Sequence, residues 1–117
     1  MSVEVNAQVM EKKTHQIRKP MKTNDLRANR PVFRLQVVMV RCYPARMIIT
    51  PQFTGMVAAA CGRDEHGLVG IVLWGDQTHE VKLGNIIQIN SGWCRLRDGQ
   101  LVVRLENTVI WKFLING

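Results

Sequence analysis

With 117 residues, 46% of them hydrophobic and 21% charged, the chain has the size and composition of one globular domain and is too short for two independent cores. That composition excludes a disordered or fibrous protein. The longest apolar run, residues 56–61, falls far short of the ~20 residues a membrane-spanning helix needs. A formal charge of +7 favours a polyanionic partner, nucleic acid before an anionic membrane, when it does more than serve solubility.

Residues 1–30 differ from the rest. They carry Lys12, Lys13, Arg18, Lys19, Lys22, Arg27 and Arg30 against Glu4, Glu11 and Asp25, and their few large apolar residues keep no period. This segment reads as a basic, mobile arm with at most a short surface helix around 9–17, and residues 31–117 as the folded domain. Glu4, Asn6 and Gln8 interrupt any apolar leader, so no secretory signal is expected, and no lipidation box is visible.

From Pro31 the pattern is strands and turns. Phe33, Leu35, Val37 and Met39 alternate with Arg34, Gln36, Val38 and Val40, a strand that becomes apolar on both faces. Tyr43-Pro44-Ala45-Arg46 breaks it, and 47–50 resumes it before Pro51. A second strand over 54–62 is rich in small residues and ends in the polar loop Arg63-Asp64-Glu65-His66-Gly67. A third, 68–74, runs into Trp74-Gly75-Asp76. Residues 77–83 read as a loop or a single helical turn, closed by Gly84, where a positive φ suits the tight approach to the next strand. That strand spans 85–96 with an irregularity at Ser91-Gly92, beyond which Cys94 and Leu96 point inward and Trp93, Arg95 and Arg97 outward. Asp98-Gly99 is a favoured hairpin dipeptide. In 101–105, Leu101, Val103 and Leu105 oppose Val102, Arg104 and Glu106. A last apolar strand over 109–115 is expected to bury Val109, Trp111, Phe113 and Ile115, leaving Ile110 and Leu114 to be covered.

Short strands with turn signals every ~8–12 residues, and almost no helix, argue for an all-β barrel or sandwich. Cys42, Cys61 and Cys94 are odd in number and widely spaced, and His15, His66 and His79 are scattered; reduced thiols and no metal or other cofactor are expected. Asp76 and Glu80 have no nucleophile, phosphate loop or metal cluster beside them, so the chain is not expected to be an enzyme.

One stretch selects among the barrels. Gly67-Leu68-Val69-Gly70-Ile71-Val72-Leu73-Trp74-Gly75-Asp76, then Val81-Lys82-Leu83-Gly84-Asn85-Ile86-Ile87-Gln88-Ile89, then Gly92-Trp93, resembles the third-to-fourth-strand region of OB folds in replication protein A and in the small single-stranded-DNA-binding subunits of the sensor-of-single-stranded-DNA complex. The likeness spans 67–111 at its loosest and is best within 67–99. It implies a five-stranded OB-fold barrel binding single-stranded DNA in genome maintenance or telomere protection, with a nuclear location. It also implies base stacking on Trp74 and Trp93, since single strands expose base faces that stack on aromatic rings. Arg95, Arg97, Arg104 and Arg34 are the candidate phosphate contacts. The chain departs from that family in having Arg97 and Arg104 near places where further aromatics stand, which implies more charge and fewer stacking sites.

Two other readings share this framework. The apolar tail, with Trp111, Phe113 and Leu114 as its candidate contact residues, suits an OB subunit of a multi-protein telomere-capping or replication and repair complex, joined to other OB-fold or genome-maintenance subunits. RNA is an equally good stacking ligand, because nothing in the sequence separates ribose from deoxyribose contacts.

Overall fold

The computed structural model describes residues 19–112. Its strands are β1 (Arg30–Cys42), β2 (Arg46–Ile49), β3 (Thr54–Asp64), β4 (Gly67–Trp74), β5 (Ile86–Arg97) and β6 (Gln100–Trp111), with one helical turn, α1 (Gln77–Glu80), between β4 and β5. They form one sheet in the order β1-β5-β6-β4-β3-β2, and a second pairing of β1, with β3, closes it into a barrel. β1 makes the closure because it is long: Arg30 to Val38 pair with β5, and Val38 to Cys42 pair with β3. The β4–β6 pairing is parallel and the others antiparallel. β2 resumes β1 beyond the Pro44 break and pairs with the start of β3. This is the all-β, five-stranded OB barrel expected from the sequence, extended by the β2–β3 arm. Among the described residues no helix is long and apolar enough to cross a membrane.

The period-2 pattern fills the barrel. Leu35, Val37 and Met39 of β1, Ala58 and Ala60 of β3, Val69, Ile71 and Leu73 of β4, Ile87, Ile89 and Cys94 of β5, and Val103 and Leu105 of β6 are buried together. Gly84 takes φ 86° as anticipated, and its N–H donates to the Met39 carbonyl (2.8 Å), tying the turn before β5 to β1.

The β5–β6 ribbon carries two offsetting bulges: Asn90 is the extra residue on β5 and Glu106 the extra residue on β6. The sequence signalled the irregularity on β5 but not its counterpart on β6, and two expectations fail for that reason. Residues 100–111 are one continuous strand rather than two, and beyond Glu106 the inward side passes from odd to even positions. Ile110 therefore packs against the core, while Val109 and Trp111, expected inside, are exposed, Trp111 by 43%. Leu96 is likewise exposed, by 60%, instead of pointing into the core. β4 pairs with β6 only between Val102 and Arg104, so the hairpin tip that carries Leu96 projects past the barrel wall.

The segment expected to be a free arm is packed from residue 21 onward, and residues 1–18 lie outside the described residues. Leu26 is 2% exposed and belongs to the core, with Met21 against it. A 3-10 turn over Thr23–Asp25 docks on the β3–β4 hairpin: the Thr23 hydroxyl and N–H donate to the two oxygens of Asp64 at 2.6 and 2.8 Å. The same carboxylate accepts the His66 and Gly67 N–H groups, and Lys22 reaches Glu65 at 3.2 Å. Burial alone would push the Asp64 pKa up, but the hydrogen bonds from Thr23, His66 and Gly67 outweigh it and hold the carboxyl below its ordinary value. An isolated Leu in a basic stretch has no periodic partners in sequence, which is why composition placed the boundary too late.

Leu26→Ala should lower unfolding free energy by ~2–5 kcal/mol in urea, as for a core leucine. Because the Asp64 pKa is lowered on folding, its contribution should be complete above its unfolded pKa, ~3.9, and be lost as pH falls through the lower folded value. Asp64→Asn should therefore destabilise the protein at neutral pH and remove that part of the acid dependence in pH-resolved urea titrations.

Candidate nucleic-acid interface

In OB barrels the outer wall of the second and third barrel strands, with the loops that bracket it, takes oligonucleotides. Here those strands are β3 and β4. Since Val69, Ile71 and Leu73 point inward, Leu68, Gly70, Val72 and Trp74 point out, and the strand register extends this face across the neighbours. One lateral row runs Ala59, Val72, Arg104, Trp93 over β3, β4, β6 and β5. It begins at Tyr43, whose N–H donates to the Ala59 carbonyl at 2.9 Å and whose side chain is 50% exposed. The next row runs Arg41, Cys61, Gly70, Val102, Arg95, and on the other side Arg46, Val57 and Trp74 stand in register. Arg97 lies at the β5–β6 turn and Arg63 opposite Leu68.

The floor of this wall is uncharged and low: Ala59, Cys61, Gly70, Val72 and Val102. Its rim is cationic. Arg41, Arg46, Arg63, Arg95, Arg97 and Arg104 are exposed, and the ion pairs among the described residues, Lys22–Glu65 and His66–Glu65, engage none of them. Unneutralised charges around an apolar floor generate the positive potential that gathers polyanions.

Trp74 is half-buried because Phe53, from the β2–β3 turn, stands edge-on to it, with centroids 4.8 Å apart and planes at 89°. The Trp74 backbone N–H donates to Gln77 Oε1 at 3.0 Å, which fixes the end of β4 against α1. Its indole Nε1 is buried without an acceptor among the described residues. Trp93 is half-buried between Pro31 of β1 and Arg104 of β6, with its face outward as the sequence implied.

Four of the six candidate nucleic-acid residues, Trp74, Trp93, Arg95 and Arg104, thus share the outer wall reached from β4, and Arg97 stands beyond it on the projecting hairpin tip. Arg34 does not join them. It sits in the half of β1 that pairs with β5, at a left-handed backbone position (φ 52°), with β5 and β6 between it and β4. Of the candidate partner contacts, Trp111 ends β6 in register with Ile86, itself opposite Val38, an outward apolar row above the bulges; Phe113 and Leu114 lie outside the described residues. Sequence reasoning missed Tyr43, Arg41, Arg46, Arg63 and Phe53. They lie at strand ends, where alternation stops; the aromatics in the two proline breaks, Tyr43-Pro44 and Pro51-Gln52-Phe53, were the available signal.

No family model matches the chain, and no curated protein matches it by sequence. Solved structures do match. The second OB-fold domain of replication protein A from Methanococcus maripaludis, in solution, superposes with a TM-score of 0.69 at 21% identity, over 84% of this chain and all of that one. A crystal structure of a domain of replication protein A from the same organism gives 0.66 at 25% identity, over 79% of this chain and 94% of that one. A replication factor A related protein from Methanobacterium thermoautotrophicum gives 0.66 at 15% identity, over 80% and 92%. The likeness establishes the OB fold.

The wall also orders the thiols. Burial pushes the Cys42 and Cys94 thiols up, which lowers their thiolate fraction, and Cys94 is inside the barrel, whereas Cys61 is on the floor of the outer wall. Limited maleimide labelling followed by peptide mass spectrometry should modify Cys61 first and Cys94 last.

Proposed function

We propose that this OB barrel binds single-stranded DNA across the outer wall of β3, β4, β6 and β5, without catalysis, in the handling of exposed single strands during genome maintenance. The observation that carries the reading is the lateral register of Trp93, Arg104, Val72 and Ala59, with Arg95 one row away. A partly exposed indole beside two arginines offers a base a stacking surface and its phosphates two charge partners, and the low floor lets the backbone of a strand approach the barrel. The resemblance of residues 67–99 to DNA-binding OB folds favours DNA over RNA.

A second reading, a protein-contact surface on β1 and the β5–β6 ribbon, is favoured by the outward row of exposed Val38, half-buried Ile86 and exposed Trp111. The bulges set Ile86 and Trp111 apart from the Trp93–Arg104 face, while Val38 meets Arg63 of the cationic rim across the β1–β3 pairing.

Anisotropy titrations with labelled single-stranded DNA, duplex DNA and single-stranded RNA over a salt series test the proposal. Single-stranded DNA should bind most tightly. Trp93→Ala should weaken it by ~1–3 kcal/mol, with an unfolding cost well below the ~3–5 kcal/mol of a fully buried tryptophan. Arg95→Ala and Arg104→Ala should weaken it mainly at low salt, and removing one arginine–phosphate pair should make the log–log salt slope shallower by ~0.7. Trp111→Ala should leave DNA affinity unchanged. A Trp93→Ala protein that is destabilised yet binds with native affinity would defeat the site assignment, and tighter binding of RNA than DNA would overturn the choice of ligand.

Bound DNA should also cover the floor. Saturating oligonucleotide is expected to slow maleimide modification of Cys61 without changing that of Cys94, read by the same mass spectrometric assay.

A further inference from the structure

Tyr43 occupies the end of the lateral row opposite Trp93, and its surroundings repeat those of Trp93. Trp93 has Arg95 two residues along its own strand and Arg104 directly opposite on β6. Tyr43 lies one residue beyond the end of β1 with Arg41 two residues back on that strand, and Arg46 begins the β2 segment that follows. The Arg41 guanidinium lies over the Tyr43 ring, 5.7 Å from its centroid, which occupies one ring face and holds the other toward solvent, where the side chain is 50% exposed. The main chain that carries the ring is anchored, because the Tyr43 N–H is bonded to the Ala59 carbonyl and Arg41 is paired with Cys61.

We infer that Tyr43, braced by Arg41, is a second base-stacking site at the far end of the wall, so that one strand is held by an arginine-flanked aromatic at each end of the uncharged floor. This rests on the single-strand-binding reading proposed above. From Trp93 to Tyr43 the row crosses four strand-to-strand steps, about 19 Å along the barrel wall at ~4.8 Å per step. At the ~3.4 Å rise of a stacked strand that distance takes about six nucleotides, fewer where bases are splayed. The site is a property of length: only a strand long enough to cross the floor reaches both ends.

The test compares wild type, Tyr43→Ala, Tyr43→Phe and Trp93→Ala against oligothymidylates of about three and about twelve nucleotides, with urea unfolding of each protein. Tyr43→Ala should bind the long oligonucleotide at least about five-fold more weakly than wild type, the lower end of one stacked base. It should match wild type on the short one anchored at Trp93. Tyr43→Phe should retain wild-type affinity, since it keeps the ring and the cation beneath it, and stability should change little for a half-exposed side chain. Native affinity of Tyr43→Ala for the long strand, with Trp93→Ala weakened, overturns this inference and leaves the proposed function standing. Equal weakening on both lengths also overturns it, because the effect is then not confined to a distal site. A wild-type protein that binds neither oligonucleotide overturns both.

Discussion

Closure of the barrel by a single strand governs the other features of the molecule. β1 must pair with β5 along its first half and with β3 along its second, so it curves across the barrel and breaks register once between Met39 and Arg41. A bulge both bends a strand and shifts its alternation. Before the break, Leu35, Val37 and Met39 fill the core; after it, Arg41 faces out beside Cys61 while Cys42 packs inward against the core. The covalent continuity of one strand thus links core formation to the composition of the outer wall.

The same device acts at the opposite side of the barrel. The paired bulges at Asn90 and Glu106 divide the β5–β6 ribbon into two lengths with opposite alternation. Below them the outward positions are Trp93, Arg95, Val102 and Arg104; above them they are Ile86, Val109 and Trp111. Gly92 makes the junction possible, because a Cβ there would stand 2.7 Å from the Arg104 carbonyl oxygen. A close strand crossing at that point brings Arg104 into register with Trp93, and with it the proposed stacking surface. One ribbon can therefore present a cationic face and an apolar face without a change of strand.

What was legible in the sequence follows from this geometry. Alternation specifies which residues share a face while register is regular, so the barrel, the inward Cys94 and the outward Trp93 and Arg95 could be read directly. It fails at an unsignalled bulge: Asn90-Ser91-Gly92 carries a glycine and polar residues that announce an irregularity, whereas Glu106-Asn107 looks like ordinary outward polarity. Trp111 was misplaced for that reason alone. Leu96 failed differently, because alternation reports a face but not whether a neighbouring strand covers it. Leu26 and Tyr43 were invisible because their partners, the barrel core for one and Ala59 for the other, are distant in sequence.

The anchoring of the N-terminal segment connects these features to the site. Asp64 collects Thr23, His66 and Gly67 at the β3–β4 turn, the end of the barrel at which Arg63 and Leu68 pair. Removing the Thr23 bonds would leave a carboxylate with less compensation for its desolvation, at the foot of the wall that carries the arginines. The carboxylate keeps its negative charge, but its oxygens already accept four bonds from local N–H and O–H groups, which leaves less room for a guanidinium. Asp64 therefore competes less for the arginines above it, and those arginines stay available to phosphate. Tying down the turn and occupying the Asp64 oxygens that could otherwise bind an arginine are consequences of one set of hydrogen bonds.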